Sequence, residues 1–159
     1  MLPPLYIGRF QPFHLGHLDA IEQILAKHKH VIIGIGSAQY SGQEKNPYSA
    51  DMRQLMIEQS LTGVGLNKSQ FTVVQIPDIH DNELWVAHVE KLCQPFGQAY
   101  SGTPLVQELF QKDSKHTVIA PIFNYQISAT EIREKMLRGE KWEDMVPTAV
   151  YEIIRQHKQ

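Results

Sequence analysis

Residues 5–17 read Leu5-Tyr6-Ile7-Gly8-Arg9-Phe10-Gln11-Pro12-Phe13-His14-Leu15-Gly16-His17. Leu5–Ile7 is an apolar, strand-sized run, and the Gly- and Pro-punctuated segment after it ends the strand. From Gly16 to Lys27 the apolar residues Leu18, Ile21, Ile24 and Leu25 fall on one helical face. Strand, polar turn and helix make the opening of a parallel α/β unit.

The rest of the chain repeats that unit. Val31–Ile35 contains only Val, Ile and Gly, as expected of a strand buried on both faces. A helix follows from Ser49-Ala50 to Gly63. Phe71–Ile76 then reads as strand and Leu84–Leu92 as helix, followed by strand Ala99–Ser101 and helix Pro104–Phe110. Thr117–Ala120 is the fifth strand, and Thr130–Leu137 and Thr148–His157 close the chain as helices. The alternation predicts an α/β fold: a doubly wound, mainly parallel five-stranded Rossmann-like sheet with flanking helices. No repeat and no low-complexity linker divides the chain, so residues 1–159 read as one domain. The tail Arg155–Gln159 is polar and reads as a frayed end.

The 159 residues carry 15 Lys and Arg against 17 Asp and Glu, a formal net charge of −2. That balance argues against nucleic acid or a polybasic membrane patch as partner. No apolar run approaches the roughly 20 residues of a membrane helix, and no signal peptide is visible. Cys93 is the one cysteine, so an internal disulfide is impossible and a reducing, cytoplasmic setting is expected.

In open α/β sheets, ligands bind beyond the carboxyl ends of the strands. The chemically unusual residues fall there: Gly8–His17, Gly36–Gln39, Pro77–Trp85, Gly102 and Pro121–Arg133. Within Gly8–His17, Gly8 and Gly16 offer close backbone approach or positive φ, and Pro12 restricts Gln11 to extended geometry. Gly16 and His17 open a helix whose free N–H groups suit an anion. Arg9 can grip phosphate with two parallel hydrogen bonds, and His14 and His17, three apart, can face the same way. Zinc would want a Cys or carboxylate ligand beside the histidines, which the segment lacks, and plain core histidines are the other simple reading. A Gly-x-Gly-x-x-Gly after the first strand is absent, which removes the ordinary dehydrogenase.

The string GRFQPFHLGH resembles the archaeal-type nicotinamide mononucleotide adenylyltransferases, and its His14-Leu-Gly-His17 resembles the His-x-Gly-His signature of the wider nucleotidyltransferase superfamily. Similar blocks are IIGIGSAQ at 32–39, NPYSADMR at 46–53, PDIHDNELWV at 77–86, YSGTPLVQELF at 100–110 and ISATEIREKML at 127–137. The resemblance implies transfer of the adenylyl group from ATP, with Mg²⁺, to nicotinamide mononucleotide, giving NAD and pyrophosphate by in-line attack on the α-phosphorus. It implies that His14, His17 and Arg9 act on the ATP phosphates. Gly8, Phe10, Gln11, Gly16, Ser128, Thr130, Arg133 and Lys45 are then the ATP- and phosphate-binding set. Ser37, Gln39, Asp78, Asn82, Trp85 and Gly102 are expected around the nicotinamide nucleotide, with Trp85 stacking on the pyridinium ring unless it is a core residue. No protein side chain is expected to hold the metal, which arrives on ATP. The resemblance also implies a homo-oligomer, since relatives of this kind assemble as such, and some carry an appended pyrophosphohydrolase domain, which is not expected within these 159 residues.

Three departures stand out. Lys45 occupies a position where relatives often carry arginine, and a lysine cannot form the bidentate fork. Asn124-Tyr125-Gln126 lacks a basic residue, and Ala129 stands in SAT where SGT is commoner. Alternatives are an adenylyltransferase for nicotinate mononucleotide or phosphopantetheine, or a non-catalytic NAD or ATP sensor. An acidic Asp78 near the ring would disfavour nicotinate.

Overall fold

The computed structural model describes residues 1–157; Lys158 and Gln159 of the expected polar tail lie outside the described residues. In chain order the elements are β1 (Leu5–Gly8), α1 (Leu15–Lys27), β2 (Val31–Ile35), α2 (Ala50–Gly63), β3 (Phe71–Gln75) and α3 (Trp85–Leu92). Then come β4 (Ala99–Tyr100), α4 (Pro104–Asp113), β5 (Val118–Ile119), α5 (Ala129–Leu137) and α6 (Thr148–His157). Single 3₁₀ turns sit at Lys68–Gln70 and Glu143–Met145.

The strands form one sheet in the order β3-β2-β1-β4-β5, every pairing parallel. The chain moves outward from β1 to β3, then returns to the other side of β1 to lay down β4. The topological switch point is therefore the gap between β1 and β4, and it opens at the carboxyl end of β1. Alternation along the central strands sends side chains to two cores. Tyr6, Val31, Ile33 and Ile35 pack beneath α1, α2, α5 and α6 with Ile21, Ile57, Ile132 and Ile154. Leu5, Ile7 and Ile32 pack on the other face with Val86, Val89, Leu109 and Phe110 of α3 and α4. Gly34 interrupts the β2 run because a Cβ there would stand 2.8 Å from the Ile76 side chain.

The expected α/β sheet is present, with shifts at element ends. α1 starts at Leu15, one residue before Gly16, because His14 is its cap. β4 and β5 shorten to two residues each. At the end of β4, Ser101 turns out of the strand and its Oγ accepts the Thr103 N–H at 3.1 Å. α4 runs three residues beyond Phe110 and closes on Ser114 in the left-handed region, φ 62°.

Candidate active site: two cavities meeting at the end of the central strand

Two cavities of about 350 and 320 Å³ open at the switch point, each of a size that holds small molecules. The first is lined by Phe10, Gln11, His14, His17, Gly102, Ser128, Thr130 and Arg133, among others. Ser37, Asp78, Asn82 and Trp85 line the second. They share Ile7, Gly8, Arg9 and Thr103, so the end of β1, the Arg9 that follows it and the N-cap of α4 form a sill between them.

The histidine cavity is built by the turn after β1. His14 is the N-cap of α1: its Nδ1 accepts the backbone N–H of Gly16 at 3.0 Å and of His17 at 3.4 Å. His17 Nδ1 in turn accepts the N–H of His14 at 3.1 Å, completing a reciprocal capping box. Both Nδ1 atoms are acceptors, so each neutral ring carries its proton on Nε2. Burial pushes the His14 imidazolium down to about 4, against an ordinary value of 6.5. Burial first, and then His14, hold His17 well below its ordinary value. The site thus offers two neutral N–H donors rather than two cations. This corrects one expectation: the Gly16 and His17 N–H groups are not free for phosphate, since His14 takes both, and Gly16 serves the cap. A Cβ at Gly16 would stand 2.9 Å from His14 Cε1.

Positive φ falls on Phe10 (55°) and Ser37 (50°), not on Gly8 or Gly16. Gly8 supplies close approach instead, because a Cβ there would meet the Phe10 ring at 3.1 Å. That ring, buried, stands edge-on to His17 with centroids 4.8 Å apart and braces it. A left-handed non-glycine costs about 1–3 kcal/mol and recurs where surrounding structure demands it.

Gln11 lines the cavity, yet its amide is spent elsewhere. Nε2 donates to Tyr48 O and Oε1 accepts from Tyr48 N, both at 2.9 Å, which fixes the segment before α2. At the entrance of α5, Ser128 Oγ caps Glu131 N at 3.0 Å. Arg133 donates to Gln11 O at 2.8 Å and to Thr130 Oγ1 at 3.3 Å, tying α5 to the turn after β1 with further donors left over. Burial, then Arg9, lower its pKa, which marks Arg9 and Arg133 as neighbouring cations.

In the second cavity Ser37 Oγ donates to Asp78 Oδ2 at 2.8 Å. The Gln39 amide pairs with the backbone of Asp78 in both directions, at 3.0 and 2.9 Å, so Gln39 holds the wall together. Trp85 packs edge-on against Phe110, centroids 5.5 Å apart, as a core residue does, and it also lines the cavity. Asn82 is exposed at the rim. Three residues sit apart from their expected places: Gly102 lines the histidine cavity, while Gln39 and Lys45, the latter on the exposed segment 41–45, line neither. Cys93 ends α3 in the core, with its thiol pushed up to about 11 by burial, which is no nucleophile.

Sequence reasoning missed Thr103 on the sill and Arg53 behind it. Arg53 is fully buried and donates to five main-chain carbonyls, including Arg9 O at 2.8 Å and Gly36 O at 2.9 Å. The signal was its register: Ala50, Arg53, Met56, Ile57, Ser60 and Leu61 are the buried positions of α2, and a charge among them calls for an explanation.

A cytidylyltransferase-like family model matches residues 5–135. The nicotinamide-nucleotide adenylyltransferase of Thermoplasma volcanium is 45% identical over 94% of this chain and 84% of its own length. The enzyme of the same name from Pyrococcus horikoshii is 42% identical over 99% and 85%. Among solved structures, a bifunctional NMN adenylyltransferase/ADP ribose pyrophosphatase from Francisella tularensis, complexed with AMP and a manganese ion, superposes with a TM-score of 0.81 at 25% identity. The match covers all of this chain and half of that one. With its signature histidines, its sill at the switch point and these relatives, the chain belongs to the cytidylyltransferase-like family, alongside the nicotinamide-nucleotide adenylyltransferases.

Proposed function

We propose that the protein is an adenylyltransferase that makes NAD and pyrophosphate from ATP and nicotinamide mononucleotide. The observation that carries the reading is the pair of cavities sharing Gly8, Arg9 and Thr103. Two substrates that must bring a phosphate and a triphosphate together need two compartments with one cationic meeting point. ATP takes the histidine cavity and the mononucleotide takes the cavity of Asp78 and Trp85. A 5′-phosphate oxygen of the mononucleotide forms the new bond to the α-phosphorus, the bond to the β-phosphate oxygen breaks, and its electron pair leaves with pyrophosphate. Charge grows on that leaving group, so fixed donors aimed at it lower the barrier.

His14 and His17 serve as those donors through Nε2–H, and neutrality suits the role, since a neutral imidazole keeps its N–H near neutral pH whereas an imidazolium gives up a proton readily. Arg9 and Arg133 supply the positive charge, and no protein nucleophile is required. Among the described residues no cluster of three His, Cys, Asp or Glu side chains could hold a metal ion. Magnesium enters on this reading as part of the ATP substrate, held by phosphate oxygens. Asp78 accepts from the carboxamide, and Trp85 offers its face to the ring. We extend the reading to a homo-oligomer in a reducing cytoplasm. No helix among the described residues is long and apolar enough to cross a membrane. Incubation with ATP, Mg²⁺ and each candidate acceptor tests the reading: NAD is expected from nicotinamide mononucleotide, and product only from phosphopantetheine would replace it.

A further inference from the structure

Behind the sill lies a buried cation without a counter-ion. Arg53 Nε donates to Ser49 O at 3.2 Å, Nη1 to Arg9 O at 2.8 Å and Gly36 O at 2.9 Å, and Nη2 to Ser37 O at 3.2 Å and Tyr40 O at 3.4 Å. That is five bonds for the five N–H groups of a guanidinium, and every acceptor is a main-chain carbonyl. None of the ion pairs among the described residues includes Arg53. A buried charge is costly unless paired, and carbonyl dipoles satisfy its hydrogen bonds without cancelling the charge. Burial lowers the pKa of Arg53 to about 10, and Arg9, a charge of like sign, adds to that effect. Arg9 also bears on Arg133, so the sill carries one cation and has two more beside it.

The five carbonyls come from three segments: the turn after β1 at Arg9, the turn after β2 at Gly36, Ser37 and Tyr40, and the cap of α2 at Ser49. Arg9 belongs to both cavities, and Ser37 is the residue that fixes Asp78. A single guanidinium therefore sets the backbone on which the phosphate grip and the Asp78 wall are both mounted.

We propose that Arg53 is a positioning residue for group transfer, its charge balanced only when a polyanionic substrate fills the sill, and that its fork couples the filling of the histidine cavity to the wall of the second one. The identity of the anion rests on the adenylyl-transfer reading; the coupling does not. A role in folding alone would lower thermal stability and leave the folded enzyme's kinetics intact.

The test compares the native protein with Arg53→Lys, which keeps charge and loses the fork, and Arg53→Gln, which loses both. Kinetics are measured at a temperature where circular dichroism shows each variant folded. Misplacement of reacting groups by about 1 Å costs on the order of 100-fold in rate. On that scale Arg53→Lys is expected to lose about 10-fold in kcat with KM for ATP within about threefold, and Arg53→Gln about 100-fold with both KM values raised. Both variants keeping kcat and both KM values within about twofold would overturn the proposal, whatever their Tm. A second arm needs no variant: in the native protein, inorganic pyrophosphate should slow backbone deuterium uptake in both segments 9–13 and 36–41, whereas adenosine should leave 36–41 unchanged. Unaltered uptake at 36–41 with saturating pyrophosphate overturns the coupling even if neither variant folds. If the native protein turns over no acceptor, the adenylyl-transfer reading fails, and the exchange arm still decides the role of Arg53.

Discussion

His14 and His17 stack ring on ring, their centroids 3.6 Å apart and their planes 22° from parallel. Each accepts a main-chain N–H at Nδ1, so neither can be protonated there without breaking the helix cap. One arrangement therefore caps α1, fixes both tautomers and presents two Nε2–H donors to the cavity.

That arrangement makes stability depend on pH. In the unfolded chain the rings take up protons near 6.5, whereas burial holds His14 down to about 4 in the folded protein and holds His17 well below its ordinary value too. Between those values the unfolded state binds more protons, so stability, fully present above pH 6.5, falls as pH drops toward 4. The lowering of His14 sets an upper scale of about 3 kcal/mol. Thermal melts from pH 7.5 to 4.5 should show Tm declining, with the decline reduced in His14→Asn, which retains a cap. A flat profile in the native protein would contradict the tautomer assignment.

Gly16→Ala puts a methyl group 2.9 Å from His14 Cε1 and must push that ring aside. Turnover should fall about 10- to 100-fold, because the Nε2–H donor moves with the ring. Alanine is a good helix residue, but the displaced ring weakens the cap of α1, so Tm should fall modestly, on the scale of about 1 kcal/mol. A steady-state assay beside a melt separates the two effects; unimpaired turnover would mean that the ring can yield without loss.

Replacing Gln11 by Ala deletes the two-way clip on Tyr48 and leaves the Tyr48 N–H and C=O without their partner. Chemical denaturation should show a loss of about 2 kcal/mol. The effect on phosphate binding should be indirect, because the amide is held against the Tyr48 backbone at both its nitrogen and its oxygen. A large fall in ATP affinity with unchanged stability would give Gln11 a direct phosphate contact.

Asp78 is held by Ser37 and backbone-locked by Gln39 in the cavity given to the nicotinamide nucleotide. Its carboxylate should repel the carboxylate of nicotinate mononucleotide. Asp78→Asn should therefore narrow the preference for the amide acceptor by on the order of 10-fold in the ratio of kcat/KM values. Equal preference in the native enzyme would remove Asp78 from that role.

Trp85→Ala removes a ring that both packs on Phe110 and lines that cavity. Stability should drop by about 3–5 kcal/mol, the scale for a truncated core aromatic. KM for nicotinamide mononucleotide should rise while KM for ATP holds. A rise confined to ATP would reverse the assignment of the two cavities.

Much of this was legible in the chain because the signals are local. The apolar run of β2, the helical face of α1 and the polar residues after each strand required only spacing to be read. The helix begins one residue before the spacing places it because His is an uncommon cap, and nothing in Phe13-His14-Leu15 announces that Nδ1 will accept the following N–H groups. Arg53 was passed over for a different reason. Its five acceptors are carbonyls, which every residue possesses, so no side-chain pattern points to them. Gln11 and Gln39 look like ligand residues for the same reason: their backbone partners, at Tyr48 and Asp78, lie 37 and 39 residues away. Lys45 illustrates the converse, a charge that sequence comparison invites into the site and the loop leaves outside it.

The most direct test of the central claim is product formation from ATP, Mg²⁺ and nicotinamide mononucleotide, followed by pyrophosphate release and by the mass of the nucleotide formed. The account predicts NAD and pyrophosphate in equal amounts, with turnover abolished in a folded His17→Ala variant. Undiminished turnover in that variant, or NAD binding by the native protein with no turnover at all, would contradict it.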